Sequence, residues 1–199
     1  MKRTFDIVVA GIGLVLLSPL LLFAAILIKV DSHGPIFFRQ ERIGRGFRPF
    51  LIYKFRTMVE KASQMGRPIT YGDDFRITHA GRILRKTKLD ELPQLLNVLK
   101  GEMTLVGPRP EVPQFVEMFR RDYEEILKVR PGITDLASLK YRDEAEILGR
   151  SVDPRAEYIA RVLPDKINLG KQYVRSSSLV FDLRLIFKTL FTLIASGRS

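Results

Sequence analysis

A long run of uncharged residues near the start of the chain, interrupted by a proline, constrains the fold most. Residues 7–28 form a stretch of 22 residues without a charge, with Lys2 and Asp6 before it and Lys29 after it. A straight helix of that length would rise about 33 Å, enough to cross a hydrocarbon core of about 30 Å. The run is too long for a cleaved signal peptide, and no small-residue cleavage site follows it. We therefore expect a retained membrane segment.

The pair Ser18-Pro19 lies near the middle of this run. Pro19 cannot donate a hydrogen bond to the carbonyl of Val15, and its ring crowds that turn. The Ser18 hydroxyl can cap the loosened backbone, which matters where no water is available. Two interpretations are open: a spanning helix with a kink, or a broken helix whose two halves return to the same face of the membrane.

The charges on both sides of the run favour the second interpretation, a re-entrant hairpin. Lys2 and Arg3 precede the run, and residues 39–61 hold seven basic side chains against two acidic ones. Basic flanks mark the cytoplasmic side of a membrane segment, so both ends are expected there. Each half-helix would be about 17 to 20 Å long, too short to cross alone but suited to entering one leaflet.

The charge balance restricts the binding partners. Arg and Lys outnumber Asp and Glu by 33 to 22, which gives a net charge of +11. Such a field favours anionic partners, whether nucleic acid, acidic lipid head groups or phosphorylated small molecules. The chain has no Cys and two His, which excludes a disulfide framework and argues against a structural zinc site.

Residues 37–58 alternate basic with aromatic and aliphatic side chains around Gly44 and Gly46. We predict a short hairpin or extended segment that turns at these glycines and ends in residues 53–58. The spacing alone favours an amphipathic surface strand. Basic residues interleaved with aromatic ones also occur in nucleic-acid binding proteins, but a membrane-anchored chain meets other anions more readily.

The segment around Asp90 is the most informative part of the chain. Asp90 is predicted to be the N-cap of a helix, with Pro93 in the first turn and Gly101 at the end. A carboxylate at a helix N-terminus stays ionised, and the same position attracts phosphate. With Mg²⁺ to neutralise both, a carboxylate and a pyrophosphate can approach each other. A simpler interpretation of Asp90 and Glu91 is also open: an N-cap followed by a favourable acid in the first turn.

Basic residues flank this segment. Four lie within residues 82–88, among them Arg85, and Arg109 follows between two prolines. The prolines stiffen the backbone, so the planar guanidinium of Arg109 would be held ready for a phosphate. The alternative is a rigid turn with a solvent-facing arginine.

Taken together, these motifs resemble the bacterial sugar transferases, the monotopic phosphoglycosyl transferase family, in its minimal catalytic form. The similarity covers most of residues 1–134 and rests on five segments in order: the Ser18-Pro19 break and residues 53–58, 89–95, 107–110 and 131–134. It implies a membrane-associated α/β domain, mostly helical α+β, with an N-terminal re-entrant helix-break-helix hairpin and amphipathic interfacial helices. It also implies Mg²⁺ dependence and a location on the cytoplasmic face of the bacterial inner membrane.

The resemblance further implies the reaction. Asp90 would attack the β-phosphorus of a UDP-sugar, release UMP and carry the phosphosugar until a polyprenyl phosphate such as undecaprenyl phosphate accepts it. Glu91 would help Asp90 to hold the metal or would manage the acceptor's proton, and these two roles are not separated by the sequence. The substrate phosphates would be bound by four basic residues, Arg85, Arg109, Lys54 and Arg56.

The similarity fades after residue 134. Many members of the family continue with Gly-Trp-Ala-Gln, whereas this chain has Asp135-Leu136-Ala137-Ser138 and no Trp. Residues 135–178 therefore give little guidance, and they are one place for the sugar pocket.

The end of the chain, residues 179–195, is amphipathic. We prefer a helix lying on the bilayer surface to a tail packed into the core, because basic residues remain among the Leu, Ile and Phe side chains. Three segments are thus expected: a membrane hairpin over residues 1–31, a catalytic domain over 32–178 and an interfacial helix over 179–199.

The expected partners are a UDP-sugar, a polyprenyl phosphate and membrane lipid, without nucleic acid. The oligomeric state stays open, with a homo-oligomer among the options. The principal rival function is a non-catalytic, membrane-anchored module that binds anionic lipid or a protein partner through its net charge of +11. A membrane-tethered nucleic-acid binder ranks last, because the sequence has no recognised nucleic-acid fold pattern.

Overall fold

The computed structural model describes residues 1–65 and 74–196, which form a mostly helical α+β fold with two small sheets. Residues 66–73 of the predicted catalytic segment and 197–199 of the predicted tail lie outside the described residues. The helices are α1 (Lys2–Leu16), α2 (Ser18–Asp31), α3 (His79–Lys86), α4 (Gln94–Lys100), α5 (Pro113–Met118), α6 (Arg120–Ile126), α7 (Leu136–Lys140), α8 (Glu144–Gly149), α9 (Pro154–Glu157), α10 (Leu163–Ser176) and α11 (Leu179–Ser196). The strands are β1 (Phe37–Ile43), β2 (Pro49–Phe55), β3 (Thr104–Val106) and β4 (Gly132–Thr134).

The uncharged N-terminal run is broken where the sequence predicts. Helices α1 and α2 meet at Leu17 with a bend of 61°. The Ser18 hydroxyl donates a 2.7 Å hydrogen bond to the carbonyl of Val15, the group that Pro19 cannot satisfy. Within the described residues, no single helix is long and apolar enough to cross a membrane, although the bent pair passes that test together. The predicted break and its serine cap are confirmed, and the choice between a kinked span and a re-entrant hairpin stays a prediction.

Polar residues at the start of α1 attach the hairpin to the rest of the protein. The Arg3 guanidinium donates to the carbonyls of Val98 (2.6 Å) and Leu99 (3.1 Å), near the C-terminal end of α4. A cation is favourable there, because the last carbonyls of a helix are unpaired and carry partial negative charge. The buried Asp6 accepts a hydrogen bond from the Thr104 hydroxyl at 2.6 Å. Helix α1 is therefore seated on α4 and β3.

Strands β1 and β2 form the predicted antiparallel hairpin. Their register pairs Phe37 with Phe55 and Ile43 with Pro49, and the turn between them includes Gly46 at a φ of 66°. That backbone conformation is easy for glycine because it has no Cβ. Side chains in the middle of β2 alternate between buried and exposed, as expected for a surface sheet.

Strands β3 and β4 pair in parallel and bring the motif at residues 131–134 against that at 107–110. The two backbones touch at Gly107 and Gly132: a Cβ on Gly132 would lie 2.1 Å from the amide nitrogen of Gly107. Only glycine permits this approach. This close contact fixes the path of the chain as it leaves β3, and therefore the position of the loop that carries Arg109.

Helix α11 differs from the preferred prediction on one of its faces. Leu185 is buried in the same core cluster as Ala10 of α1, and the helix packs on β3 and β4. The opposite face exposes large apolar side chains, including Phe187, Leu190 and Phe191. The packed tail that was the alternative is thus correct for the inner face. Contact of the outer face with a bilayer stays a prediction.

The region without recognisable motifs has a core of its own. Helices α5, α6, α8 and α10, with the π-helical turn Tyr158–Val162 that precedes α10, contribute to a second apolar cluster, which includes Phe115, Tyr123, Leu148, Val162 and Ile167. Tyr173, further along α10, lies instead in the first cluster beside Val106. Helix α10 therefore contributes side chains to both apolar clusters.

Replacing Gly132 with Ala should destabilise the fold, because the new Cβ meets backbone that cannot move aside independently. We expect the free energy of unfolding to fall by about 1–3 kcal/mol or more. Gly11→Ala is the matched control, since a Cβ there meets nothing within 4 Å and Ala favours helix by roughly 0.5–1 kcal/mol. Thermal unfolding of both purified variants tests this. Equal melting temperatures would contradict the close contact.

Candidate active site

The backbone around Asp90 turns twice before α4 begins. Lys88 adopts a left-handed conformation with φ 58°, and residues Leu89–Glu91 follow in a 3₁₀ turn. Helix α4 then runs from Gln94 to Lys100, and Gly101, with a φ of 86°, ends it as predicted. The prediction that Asp90 caps this helix is wrong: Pro93 occupies the capping position, without a side-chain hydrogen bond. Asp90 instead lies in the 3₁₀ turn that precedes this capping position, and its carboxylate therefore does not cap the helix.

Glu91 is held between two cations from distant parts of the chain. Lys54 of β2 donates to its Oε1 at 2.8 Å. Arg109 donates from Nη1 to Oε2 at 3.2 Å, and its Nη2 also pairs with Oε1. Arg109 and Glu91 thus form a bidentate ion pair, a geometry that suits the planar guanidinium. Glu91 therefore joins β2, the 3₁₀ turn and the loop after β3.

The surroundings of Glu91 keep it ionised. Burial alone would raise the pKa of this carboxyl, but the neighbouring Arg109 and Lys54 outweigh burial and hold the pKa well below its usual range. The same partnership raises the pKa of Arg109, so its guanidinium stays charged. Glu91 therefore stays ionised at neutral pH.

Asp90 has the opposite environment although it is the adjacent residue. It is buried, and its Oδ1 has no hydrogen-bond partner within residues 1–65 and 74–196. Burial raises the pKa of Asp90, the charge of Glu91 raises it further, and Lys54, Arg85 and Lys88 oppose the shift. The result is a carboxylate near several cations but bonded to none of them, an arrangement that keeps its oxygens available for chemistry.

Arg85 is brought to this turn by the position of α3. Its Nε donates to the Thr57 hydroxyl at 2.8 Å. The helix approaches so closely that a Cβ on Gly81 would lie 2.1 Å from the Thr57 carbonyl oxygen. Burial lowers the pKa of Arg85, and the charge of Asp90 opposes that effect. Arg85 therefore lies within the electrostatic reach of Asp90, and its binding of a substrate phosphate stays a prediction.

Arg56, another predicted site residue, also lines the cleft that holds Asp90, but its guanidinium is occupied by backbone groups. Its guanidinium donates to the carbonyls of Ser32 (2.7 Å) and His33 (2.6 Å), just beyond α2, and to the Ser32 hydroxyl at 2.9 Å. These bonds tie the end of α2 to β2. Direct binding of a substrate phosphate by Arg56 stays a prediction, and its contacts favour an anchoring role.

Asp135 is a site residue that the sequence reasoning missed. One of its carboxylate oxygens accepts a hydrogen bond from the backbone N–H of Arg109 at 3.1 Å, and the other caps α7 through the N–H of Ser138 at 2.7 Å. It therefore positions the loop that carries Arg109. A helix cap was recognisable from an Asp before an apolar run, but its second bond depends on a contact 26 residues away along the chain.

The carboxylates line a cleft of about 2230 Å³. The residues that line it include Lys54, Arg85, Asp90, Glu91 and Arg109. Polar side chains from later in the chain also line it, namely Glu111, Tyr141, Glu144, Tyr158 and Lys166. The cleft is large enough for a nucleotide-sized ligand.

The two carboxylates fit a Mg²⁺ ion only if the substrate supplies further ligands. Over the described ranges there is no group of three or more His, Cys, Asp and Glu side chains placed to hold a metal. The two oxygens of Glu91 already bind cations, whereas Asp90 keeps an unpartnered oxygen. Mg²⁺ is commonly held by one or two carboxylates together with substrate phosphates. Asp90 suits such a shared site better than Glu91.

Comparison with known proteins adds an independent line of evidence. The family described as "Bacterial sugar transferase" matches residues 1–196. A relative from Aeromonas hydrophila named UDP-N-acetylgalactosamine-undecaprenyl-phosphate N-acetylgalactosaminephosphotransferase is 41% identical over 198 residues, which are 97% of this chain and 43% of the relative. The UDP-glucose:undecaprenyl-phosphate glucose-1-phosphate transferase of Escherichia coli (strain K12) is 36% identical over 197 residues, 96% of this chain and 39% of the relative.

The relatives differ in length. This chain spans less than half of the two transferases above. In contrast, the exopolysaccharide production protein PSS of Rhizobium leguminosarum bv. phaseoli is 38% identical over 205 residues, which cover 100% of this chain and 97% of the relative. The similarity therefore includes a protein of nearly the same extent.

The two adjacent carboxylates should affect stability in opposite directions at pH 7. The depressed pKa of Glu91 contributes stability above the ordinary pKa of a Glu and loses it as the pH falls through the depressed value. Glu91→Gln should therefore lower the free energy of unfolding, by about 2–4 kcal/mol, since Lys54 and Arg109 lose their partner. The raised pKa of Asp90 means that its ionised form costs stability at neutral pH. Asp90→Asn should leave the melting temperature unchanged or raise it.

Thermal unfolding at pH 7 compares the two variants directly. A loss of stability in Asp90→Asn as large as that in Glu91→Gln would show that the Asp90 carboxylate has a bonded, structural role.

Proposed function

Because the chain belongs to the bacterial sugar transferase family, we propose that it transfers a sugar-1-phosphate from a UDP-sugar to a polyprenyl phosphate, undecaprenyl phosphate. The observation that carries this proposal is the contrast between the two carboxylates. Glu91 is neutralised by Lys54 and Arg109, whereas Asp90 lines the cleft among cations and its Oδ1 has no partner among the described residues. The product would enter polysaccharide or glycoconjugate biosynthesis.

The proposed reaction has two displacement steps. In the first, a carboxylate oxygen of Asp90 forms a bond to the β-phosphorus of the UDP-sugar, and the bond from that phosphorus to the bridging oxygen breaks. UMP leaves with the electron pair. In the second, a phosphate oxygen of the polyprenyl phosphate attacks the same phosphorus and releases Asp90 as a carboxylate. Covalent catalysis by a carboxylate divides one difficult transfer into two easier ones.

The contacts divide the roles of the acidic pair in this proposal. Nucleophilic attack needs a carboxylate that is not already paired with cations. Both oxygens of Glu91 are paired with Lys54 or Arg109, whereas no ion pair joins Asp90 to another of the described residues. Glu91 instead aligns Lys54 and Arg109 beside the reacting phosphorus. These cations, with Arg85, would stabilise the charge that develops on the phosphate oxygens during transfer. Lys54 and Arg109 would move partly from Glu91 to the substrate when the donor binds.

A divalent metal fits this scheme as a shared ligand. We propose that Asp90 holds Mg²⁺ jointly with the pyrophosphate of the donor. When bound, Mg²⁺ neutralises phosphate charge and makes the phosphorus easier to attack. Because Glu91 is occupied by two cations, its expected part in metal binding is smaller than the sequence suggested.

The acceptor is a lipid, and the shape of the molecule supports a membrane site for it. We propose that residues 1–31 enter one leaflet as a re-entrant hairpin on the cytoplasmic face, that residues 32–178 perform the reaction, and that residues 179–199 lie on the membrane surface. Large apolar side chains are exposed on all three outer helices, among them Val15, Leu16, Leu22, Phe23, Val30, Phe187 and Phe191. So many large apolar side chains exposed on three helices are unusual for a protein surrounded by water.

UMP release from the purified protein tests the reaction. The assay contains Mg²⁺, polyprenyl phosphate and a panel of UDP-sugars that begins with UDP-glucose and UDP-N-acetylgalactosamine, the donors in the names of two relatives. We expect turnover with at least one donor and its loss in Asp90→Asn. Asp122→Asn is the matched control, because Asp122 pairs with Lys171 on the surface.

Two outcomes would count against the proposal. Turnover retained in Asp90→Asn would remove the covalent step. Folded wild-type protein that releases no UMP from any donor would remove the reaction itself and favour a binding module.

Paired cysteines test the topology of the hairpin. The chain has no Cys, and Thr4 and His33 are exposed at the outer ends of α1 and α2. In the re-entrant hairpin, Thr4→Cys and His33→Cys should both resist an impermeant thiol reagent in intact cells and react after permeabilisation. Reaction of just one of them in intact cells would instead establish a spanning helix.

A further inference from the structure

Gln94 is a buried polar residue whose side chain satisfies nothing in the described parts of the protein. It is the first residue of α4 and only 1% exposed. Neither Oε1 nor Nε2 of its amide has a hydrogen-bond partner within residues 1–65 and 74–196. A buried amide without partners costs free energy compared with an apolar side chain of the same size. Such a residue is expected where a function needs the amide.

The same helix contains a buried amide with an evident structural purpose. Asn97 is fully buried, accepts a hydrogen bond from the backbone N–H of Tyr53 at 3.0 Å, and donates to the carbonyl of Leu51 at 2.8 Å and to Glu102 at 2.7 Å. Asn97 therefore joins α4 to β2. Gln94 makes no comparable bond among the described residues, so holding the fold together does not explain it.

Among the described residues, the nearest one in the sequence that also has a buried polar atom without a hydrogen-bond partner is Asp90, four residues earlier. Its Oδ1 is also buried and without a partner. Right-handed turns connect the two residues, since the N–H of Leu92 bonds to the carbonyl of Leu89 and that of Leu95 to the carbonyl of Leu92. Leu92 and Pro93, which lie between them, have right-handed helical backbone angles, so the two residues are about one helical turn apart on the same winding. Rotation of both side chains toward each other would bring amide and carboxylate into contact.

We infer that Gln94 is a positioning residue that holds the Asp90 carboxylate for attack. In this arrangement Nε2 of Gln94 donates a hydrogen bond to Oδ1 of Asp90, and the other oxygen of Asp90 points into the cleft toward the phosphorus. The inference rests on the function proposed above. The bond forms when donor binding draws Lys54 and Arg109 toward the phosphates, and the carboxylate then turns toward α4.

The chemistry of the amide suits this position. Asp90 is faced by Lys54 from β2, Arg85 from α3 and Lys88 from its own loop, with Glu91 adjacent. A neutral amide donor orients the carboxylate and leaves its negative charge in place. After transfer, the same N–H remains on the carbonyl oxygen of the acyl phosphate. Gln94 thus assists the first step without taking a proton.

Gln94→Met tests the inference, because Met has a similar volume and no hydrogen-bonding amide. We expect the melting temperature to stay the same or rise, since an unsatisfied buried amide is removed. The single-turnover rate of UMP release without acceptor should fall by about 10- to 100-fold, the loss expected for a hydrogen bond to a charged group. The KM for the UDP-sugar should change little, because Gln94 touches Asp90 and not the donor.

Two control variants separate this role from a structural one. Asn97→Leu should lower the melting temperature, because it removes the bonds to β2. Gln172→Met, at an exposed position on α10, should change neither rate nor stability. These variants show what loss of structure and the substitution itself do in the same assay.

The possible results are decisive. Wild-type UMP release in Gln94→Met, or a fall in melting temperature like that of Asn97→Leu, would overturn the positioning role. Either result would leave the proposed reaction intact, provided that wild-type protein releases UMP and Asp90→Asn does not. Failure of the wild-type protein to release UMP would overturn the reaction and this inference together.

Discussion

The buried pairing of Glu91 with Lys54 and Arg109 organises the catalytic half of the molecule. The three residues come from a 3₁₀ turn, from β2 and from the loop after β3, and no two of these segments are close in the sequence. Separating charges that are largely withdrawn from water is costly, so each segment is held to the other two. The arrangement also leaves Asp90, the next residue, surrounded by positive charge and yet unbonded.

A second set of polar contacts connects the first helix, α1, to this centre. Lys2 pairs with Asp182 of α11 and donates to the carbonyl of Val106 at 2.8 Å, while the Tyr173 hydroxyl lies 2.7 Å from Asp182. Val106 directly precedes the loop that presents Arg109. The first and last helices are therefore fastened at the end of the strand that leads to the active site. Lys2, interpreted from the sequence as part of a basic membrane flank, therefore also holds α1 to α11.

Local patterns predicted the elements well where short-range rules decide the conformation. Pro19 and Ser18 broke the long apolar helix, Gly46 allowed the β1–β2 turn, and Gly101 ended α4, because each depends on backbone geometry within a few residues. The prediction failed where two local arrangements compete. Asp90 is a favourable helix cap by type, yet the chain places it in a 3₁₀ turn and lets Pro93 begin the helix.

By itself, the sequence determined the broken apolar segment, the excess of positive charge and the acidic pair beside basic motifs, since these are properties of residue type and spacing. Only the tertiary structure decided which carboxylate is neutralised and which is free, that Arg56 anchors α2, and that Asp135 holds the Arg109 loop. The physical reason is that such roles follow from hydrogen bonds between residues far apart in the chain. Asp90 and Glu91 are chemically alike in the sequence, and the side chains packed around them make them different.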